Sequence, residues 1–299
     1  MPTLTSSFSE RLFDRIVDTD SRICLGIDPR PSAHPLTHPD RFGHDPAQVA
    51  KAVVYYFQAI IESTQDIVAC YKLQSAFFEV LGVPGLIALA QLLADLKAKD
   101  IPVILDAKRS DISSTAEAYA KAYLDKGVFS ADALTVNPYL GMDSLAPFVS
   151  EAQKQQKQIF VLVKTSNPGS QDFQDLKLAD GSLLYEKVAD RLHDLGKDKL
   201  DSLGYAAIGA VVGATHPEEL AKLRQRLPHS LFLVPGYGAQ GAGSKDILPA
   251  FDEEGFGALI SASRSLTYVS REDDFADRAR EAAEQMRDEI NEVVEEALF

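Results

Sequence analysis

Asp106, Lys108 and Asp111 follow an apolar run in the order Asp-x-Lys-x-x-Asp, so acids and a base interleave over a short stretch. A lysine with carboxylates close by keeps its proton, because a nearby opposite charge raises its pKa. An ammonium fixed in this way can stabilise negative charge developing on a substrate and then deliver a proton to it. Further polar residues stand at the ends of other apolar runs: Asp28, Lys72, Thr165 and Ser166, the stretch from Gly236 to Gln240, and Arg264. Each has an ordinary structural reading when taken alone, since an Asp after a strand is often a helix N-cap and a Lys often snorkels to water. Gathered at one mouth, they describe a site.

The elements that would gather them are read from periodicity. Short apolar runs at 23–27, 67–73, 102–106, 133–136, 159–164, 208–212, 231–234 and 258–261 have the composition of strands covered on both faces. Amphipathic stretches at 46–63, 85–99, 113–125, 144–155, 182–195, 217–226 and 245–254 alternate with them, and a last helix is expected over 272–297. Eight such alternations close a (β/α)8 TIM barrel, an all-parallel α/β fold in which every strand's C-terminal end opens on the same mouth. No linker-like stretch divides the chain, so the reading is one barrel domain over 1–299 with a short lead-in (about 1–20) and an acidic C-terminal helix. The longest irregular pieces, 28–45 and 167–181, both follow strands, where barrel loops enclose substrates.

Composition narrows the partners. The 299 residues carry a formal charge of −14, which argues against a nucleic-acid polymer or an anionic membrane surface. It leaves room for an anionic small molecule in a local pocket of Lys and Arg. Much of the acidity (Glu281, Glu284, Asp288, Glu289, Glu292, Glu295, Glu296) sits on the last helix and reads as a solvated face. No apolar run approaches the ~20 residues that span a bilayer. The first residues lack a signal-peptide core, and Cys24 and Cys70 lie inside apolar runs as expected of free thiols, so a cytoplasmic location is expected.

The segment Leu105-Asp106-Ala107-Lys108-Arg109-Ser110-Asp111-Ile112 resembles the signature of orotidine 5′-phosphate decarboxylases, in particular their longer bacterial-type branch. The likeness extends to Tyr71-Lys72-Leu73-Gln74, Ser114-Thr115-Ala116-Glu117-Ala118-Tyr119 and Val136-Asn137-Pro138-Tyr139. It continues in Lys164-Thr165-Ser166-Asn167-Pro168-Gly169, Pro235-Gly236-Tyr237-Gly238-Ala239-Gln240 and Ser263-Arg264-Ser265, in order along nearly the whole chain. The resemblance implies a catalytic array of Lys72, Asp106, Lys108 and Asp111, with Lys108 the proton donor. It implies that Ser166 bonds the pyrimidine edge, that Asp28 and Lys72 hold the ribose hydroxyls, and that Gln240 and Arg264 grip the 5′-phosphate. Loops after the seventh and eighth strands are also the usual barrel phosphate site. It implies a homodimer with shared sites, Asp111 and Thr115 reaching the partner's site, and conversion of orotidine 5′-phosphate to UMP with no cofactor and no metal.

Two positions depart from the pattern. Ser110 stands where relatives usually carry Gly, and a positive φ there would cost about 1 kcal/mol. Ser263 precedes Arg264 where shorter relatives carry a Gly. Other signals have plainer readings. Gly236-Tyr237-Gly238-Ala239-Gln240-Gly241 matches a dinucleotide fingerprint but comes with one strand left and no acid following, which suits a phosphate loop. His34, His38 and His44 read as surface-loop residues rather than metal ligands. Arg109 reads as a partner for an acid at the dimer interface. The rival reading is a Mg2+-dependent sugar-phosphate decarboxylase on the same barrel, for which Glu79 is the one nearby acid to offer; a catalytically silent UMP-binding barrel is a further alternative.

Overall fold

The computed structural model describes residues 6–238 and 243–298. Among them, β1 (Ile23–Ile27), β2 (Cys70–Gln74), β3 (Val103–Arg109), β4 (Ala133–Val136), β5 (Gln158–Lys164), β6 (Ile208–Val212), β7 (Phe232–Pro235) and β8 (Ala258–Ala262) pair in sequence order as parallel neighbours. β8 then pairs with β1, and the barrel closes. The helices are α1 (Phe8–Thr19), α2 (Pro46–Thr64), α3 (Ser75–Glu79), α4 (Gly82–Ala98), α5 (Ser113–Leu124), α6 (Met142–Gln155), α7 (Leu184–Gly196), α8 (Pro217–Arg226), α9 (Ser244–Ile247), α10 (Arg264–Thr267) and α11 (Phe275–Leu298). The (β/α)8 reading holds. No described helix is long and apolar enough to cross a membrane.

Every strand is buried on both faces for a physical reason. One set of side chains, including Leu25, Tyr71, Leu105, Leu134 and Val161, packs outward against the helices. The alternate set, including Cys24, Cys70, Ile104, Ala133, Phe160, Val211 and Leu259, fills the barrel. Cys24 and Cys70 are register partners on β1 and β2, both buried and both free.

Element boundaries shift where local chemistry overrides the apolar pattern. Ile67 and Val68 are buried in a turn rather than in β2, their amides returning to the Thr64 carbonyl at 3.0 and 3.2 Å. The helix after β2 begins at once with α3 and restarts as α4 at Gly82, which takes φ +66°. The stretch 245–254 holds only the short α9 and a 3-10 turn, Leu248–Ala250.

The lead-in is itself an element. Ser7 and Glu10 form a reciprocal capping box, Glu10 N to Ser7 Oγ at 3.1 Å and Ser7 N to Glu10 Oε2 at 2.7 Å, which starts α1. Phe8, Leu12 and Ile16 then share one helical face and pack under the strands against Phe160, Cys24 and Leu231. The Phe8 and Phe160 rings meet edge to face at 6.1 Å.

Candidate active site

β3 runs past its expected end and is irregular there. Leu105 pairs with Leu134 and Arg109 with Val136, so four steps of β3 lie beside two of β4. Leu105 and Ala107 face the helix layer with Leu134 and Val136. Between those outward positions β3 offers Asp106 and Lys108, and β4 offers only Thr135. The surplus backbone is accommodated at Lys108, which adopts φ +47°. A lysine in that left-handed region costs roughly 1 kcal/mol.

Asp106 is the centre of the resulting cluster. Its Oδ1 accepts from Lys108 Nζ at 2.6 Å and from Thr135 Oγ1 at 2.8 Å. Its Oδ2 accepts from Lys72 Nζ at 3.2 Å and from Gln74 Nε2 at 2.9 Å. Asp106 and Lys72 are nearly fully buried, whereas the Lys108 side chain is 45% exposed toward the mouth. Burial alone would push the Asp106 carboxyl up, but Lys72 and Lys108, with the hydrogen bonds from Lys108 and Thr135, hold it far below the ordinary carboxylate range. Burial alone would pull the Lys72 ammonium down, but Asp106 and then Asp28 outweigh it and hold it above its ordinary value.

The other expected residues fall as follows. Asp28 ends β1, and its Oδ1 is buried with no partner among the described residues. Ser166 lies just beyond β5, its backbone so close to Gly213 that a Cβ there would sit 2.8–2.9 Å from Ser166 atoms. Its loop is pinned by Gln174, whose amide bonds Thr165 N at 2.9 Å and Thr165 Oγ1 at 2.8 Å. Arg264 opens α10 and is exposed. Among the described residues Asp111 accepts only from the Ile112 amide, at 2.8 Å, and Thr115 is exposed on the first turn of α5; neither bonds to the array of its own chain. Gln240 lies outside the described residues.

Several expectations are corrected. Ser110 does not have positive φ; the left-handed residues around it are Lys108 and Ser113 (φ +48°). The Ser110 hydroxyl is instead buried without a partner among the described residues. Ser263 is accommodated by Gly26 on β1, where a Cβ would stand 1.9 Å from the Ser263 hydroxyl. Arg109 pairs within its own chain, with Glu79 at 2.6 Å, and lies over Tyr119 and Tyr123 at 5.7 Å each. Glu79 is thereby committed to a cation away from the array. His34 is no surface residue: it is buried against Tyr56 and Phe275, with ring centroids at 4.9 and 5.0 Å, and burial pulls its pKa down. Among the described residues no group of three or more His, Cys, Asp or Glu is placed to hold a metal ion.

Two residues were not anticipated as partners of the array. Thr135 is a lone polar residue in a four-residue apolar strand, and Gln74 follows Lys72 by one pleat; alternation along β2 could have pointed to Gln74. Lys164, for which the sequence offered no role, is fully buried, pairs with Asp175 at 2.5 Å and sits 5.4 Å from the Tyr185 ring, anchoring the loop after β5.

A closed parallel barrel that carries two ammonium groups on one buried carboxylate at its C-terminal mouth has the architecture in which (β/α)8 enzymes place their active sites. The family model described as orotidine 5′-phosphate decarboxylase / HUMPS family matches residues 21–279. An orotidine 5′-phosphate decarboxylase of Rhodopirellula baltica is 43% identical over 282 residues, spanning 92% of this chain and 93% of that protein. One from Clostridium perfringens is 39% identical over 290 residues, spanning 96% and 99%. The solved structure of Leishmania donovani OMP decarboxylase aligns with a TM-score of 0.77 at 38% identity, covering 96% of this chain and 99% of that one. The chain belongs to the orotidine 5′-phosphate decarboxylase family, whose carboxy-lyases serve pyrimidine nucleotide synthesis.

Proposed function

We propose that this chain converts orotidine 5′-phosphate to UMP and CO2 by direct decarboxylation, with no metal or other cofactor and with Lys108 protonating C6. The observation that carries the reading is the saturation of Asp106 by four donors, from Lys72, Gln74, Lys108 and Thr135. A carboxylate that only accepts is ionised, and its charge keeps the lysines protonated. When the C6–carboxylate bond breaks, the electron pair stays on C6, where no adjacent carbonyl or imine can absorb it. A fixed ammonium stabilises that charge and then passes its proton to C6, and water restores the lysine. Lys108, exposed on the mouth side of Asp106, suits that role; Lys72, buried beneath, suits holding Asp106 and the ribose.

The remaining assignments follow the same frame. The unpartnered Asp28 Oδ1 suits a ribose hydroxyl donor. Ser166 is assigned to the pyrimidine edge, and Arg264, which follows β8, is assigned with Gln240 to the 5′-phosphate, whose binding energy can favour loop closure over the site. Asp111 and Thr115 are assigned to the site of a second subunit in a homodimer; the exposure of Thr115 and of the adjoining apolar Ile112 supports this. A cytoplasmic location is part of the same reading.

The test is loss of the orotate absorbance when EDTA-dialysed protein meets orotidine 5′-phosphate. Turnover supports the reading. Tight UMP binding without turnover indicates a silent barrel, and activity only on a sugar-phosphate acid with Mg2+ indicates the rival branch. For the shared site, mixing inactive Lys108→Ala with inactive Asp111→Asn should regenerate about a quarter of wild-type activity through hybrid dimers, each with one intact site. A mixture as inactive as its components would place both residues in one subunit's site.

A further inference from the structure

We infer that Thr135 is a positioning residue for the proton donor: its hydroxyl ties the strained backbone of Lys108 to the carboxylate that orients the Lys108 ammonium. The inference rests on the proposed decarboxylation at this site and adds to it a residue on a different strand.

The argument begins with the irregular ladder. Asp106 and Lys108 together face the single inward position of β4, because Leu105 and Arg109 bracket them opposite Leu134 and Val136. One side chain must therefore serve two neighbours. The Lys108 amide, turned by φ +47°, is taken by Thr135 Oγ1 at 2.9 Å. The same oxygen gives its proton to Asp106 Oδ1 at 2.8 Å. A hydroxyl has one proton, and an amide can only donate. The direction of both bonds is thus fixed: the amide commits the Thr135 oxygen as acceptor, and its proton has only the carboxylate to meet. Thr135 is almost entirely buried, so water does not readily replace it.

Asp106 Oδ1 receives Thr135 and Lys108 Nζ on the same oxygen. Loss of the hydroxyl would free that oxygen to rotate and leave the left-handed Lys108 without its tether, so the ammonium would lose its fixed place. Thr135 needs no contact with substrate for this. Valine is the apt probe, since it keeps the branched shape and removes only the hydroxyl.

A hydrogen bond to a charged group is worth enough that its loss should lower kcat about 10–100-fold. KM for orotidine 5′-phosphate and affinity for UMP should change less than about threefold, because Thr135 is assigned no substrate contact. Thr135→Ser, which keeps the hydroxyl, should recover most of kcat. A purely structural threonine predicts otherwise: Thr135→Val would lower the unfolding midpoint while folded enzyme kept its kcat. Should Thr135→Val fail to fold, Thr135→Ser and Thr135→Ala offer the same comparison, differing from each other by the oxygen alone. Equal kcat in Ser and Ala, or in wild type and Val, overturns the inference. Inert wild-type protein would instead overturn the decarboxylase reading, so the two failures are distinguishable.

Discussion

The two ends of the barrel interior are built from the same strands and could hardly differ more. β2 places Cys70 in the lower layer, and Lys72 and Gln74 above it; β3 places Ile104 below Asp106 and Lys108; β4 places Ala133 below Thr135. Below, the side chains are apolar, sealed by Phe8, Leu12 and Ile16 of α1. Burial, and then the neighbouring Cys24, hold the Cys70 thiol well above its ordinary pKa, so it stays neutral. Above, the inward groups of β2, β3 and β4 are charged or hydrogen-bonded. One pleat separates a layer whose task is packing from a layer whose task is charge. Asp106, Lys72 and Lys108 can carry charge at the upper level because each has a partner of opposite sign, and the dry floor below keeps those interactions strong.

The contrast predicts that mutations at the two levels separate activity from stability. The largest effect belongs to Lys108→Ala, which should lower kcat/KM by at least ~10⁴-fold. Its unfolding midpoint should move by only a few degrees, since the side chain is 45% exposed. Residual turnover within tenfold of wild type would remove Lys108 from the chemistry.

Asp106→Asn should abolish activity and also destabilise, by about 3–5 kcal/mol, because it leaves buried Lys72 without its anion. The pH dependence has a defined sign at both edges. A depressed Asp106 pKa contributes stability that is present above the unfolded value, near pH 4, and lost as pH falls further. A raised Lys72 pKa contributes stability that is present below about pH 10 and lost as pH climbs past its folded value. Urea unfolding from pH 3 to 11 should show a stability plateau in the wild type that Asp106→Asn lowers throughout.

At the floor, Phe160→Ala should cost about 3–5 kcal/mol in denaturant unfolding. Its folded fraction should keep kcat within about threefold; a collapse of kcat would mean that the two layers are not separable. The smallest effect tests a single contact. Gly26→Ala should cost about 1–3 kcal/mol through collision with Ser263, and adding Ser263→Gly should recover most of it. Additive losses in the double variant would deny the contact.

Much of this was legible from residues alone. Near-continuous apolar runs located the strands, and charged residues at their ends located Lys72, Asp106 and Lys108. What escaped depends on contacts between distant positions. Thr135 carries no charge, and only folding brings it to residues 27 and 29 positions away. Arg109 finds Glu79 at 30 positions, and His34 is buried by Tyr56 and Phe275. α1 was readable in principle from Ser7-x-x-Glu10 and the spacing of Phe8, Leu12 and Ile16, but the surrounding charges hid its short apolar stripe. Ser110 replaces a glycine and would have borne strain had its position required positive φ; the positive φ falls instead on Lys108, the residue proposed to do the chemistry.

The surplus of β3 over β4 also bears on how this barrel tolerates editing. The surplus is an even number of residues, so the inward and outward alternation resumes undisturbed at Arg109, and the pattern of the strand gives no sign that anything was added. A designer regularising the sheet would see a defect, delete two residues, and gain a smoother ladder free of a left-handed lysine. The repaired barrel would have one inward side chain facing Thr135 instead of two, and no place for both the anion and the cation. Here irregularity is heritable information: the sequence departs from the ideal strand at the point where the ideal would be chemically empty.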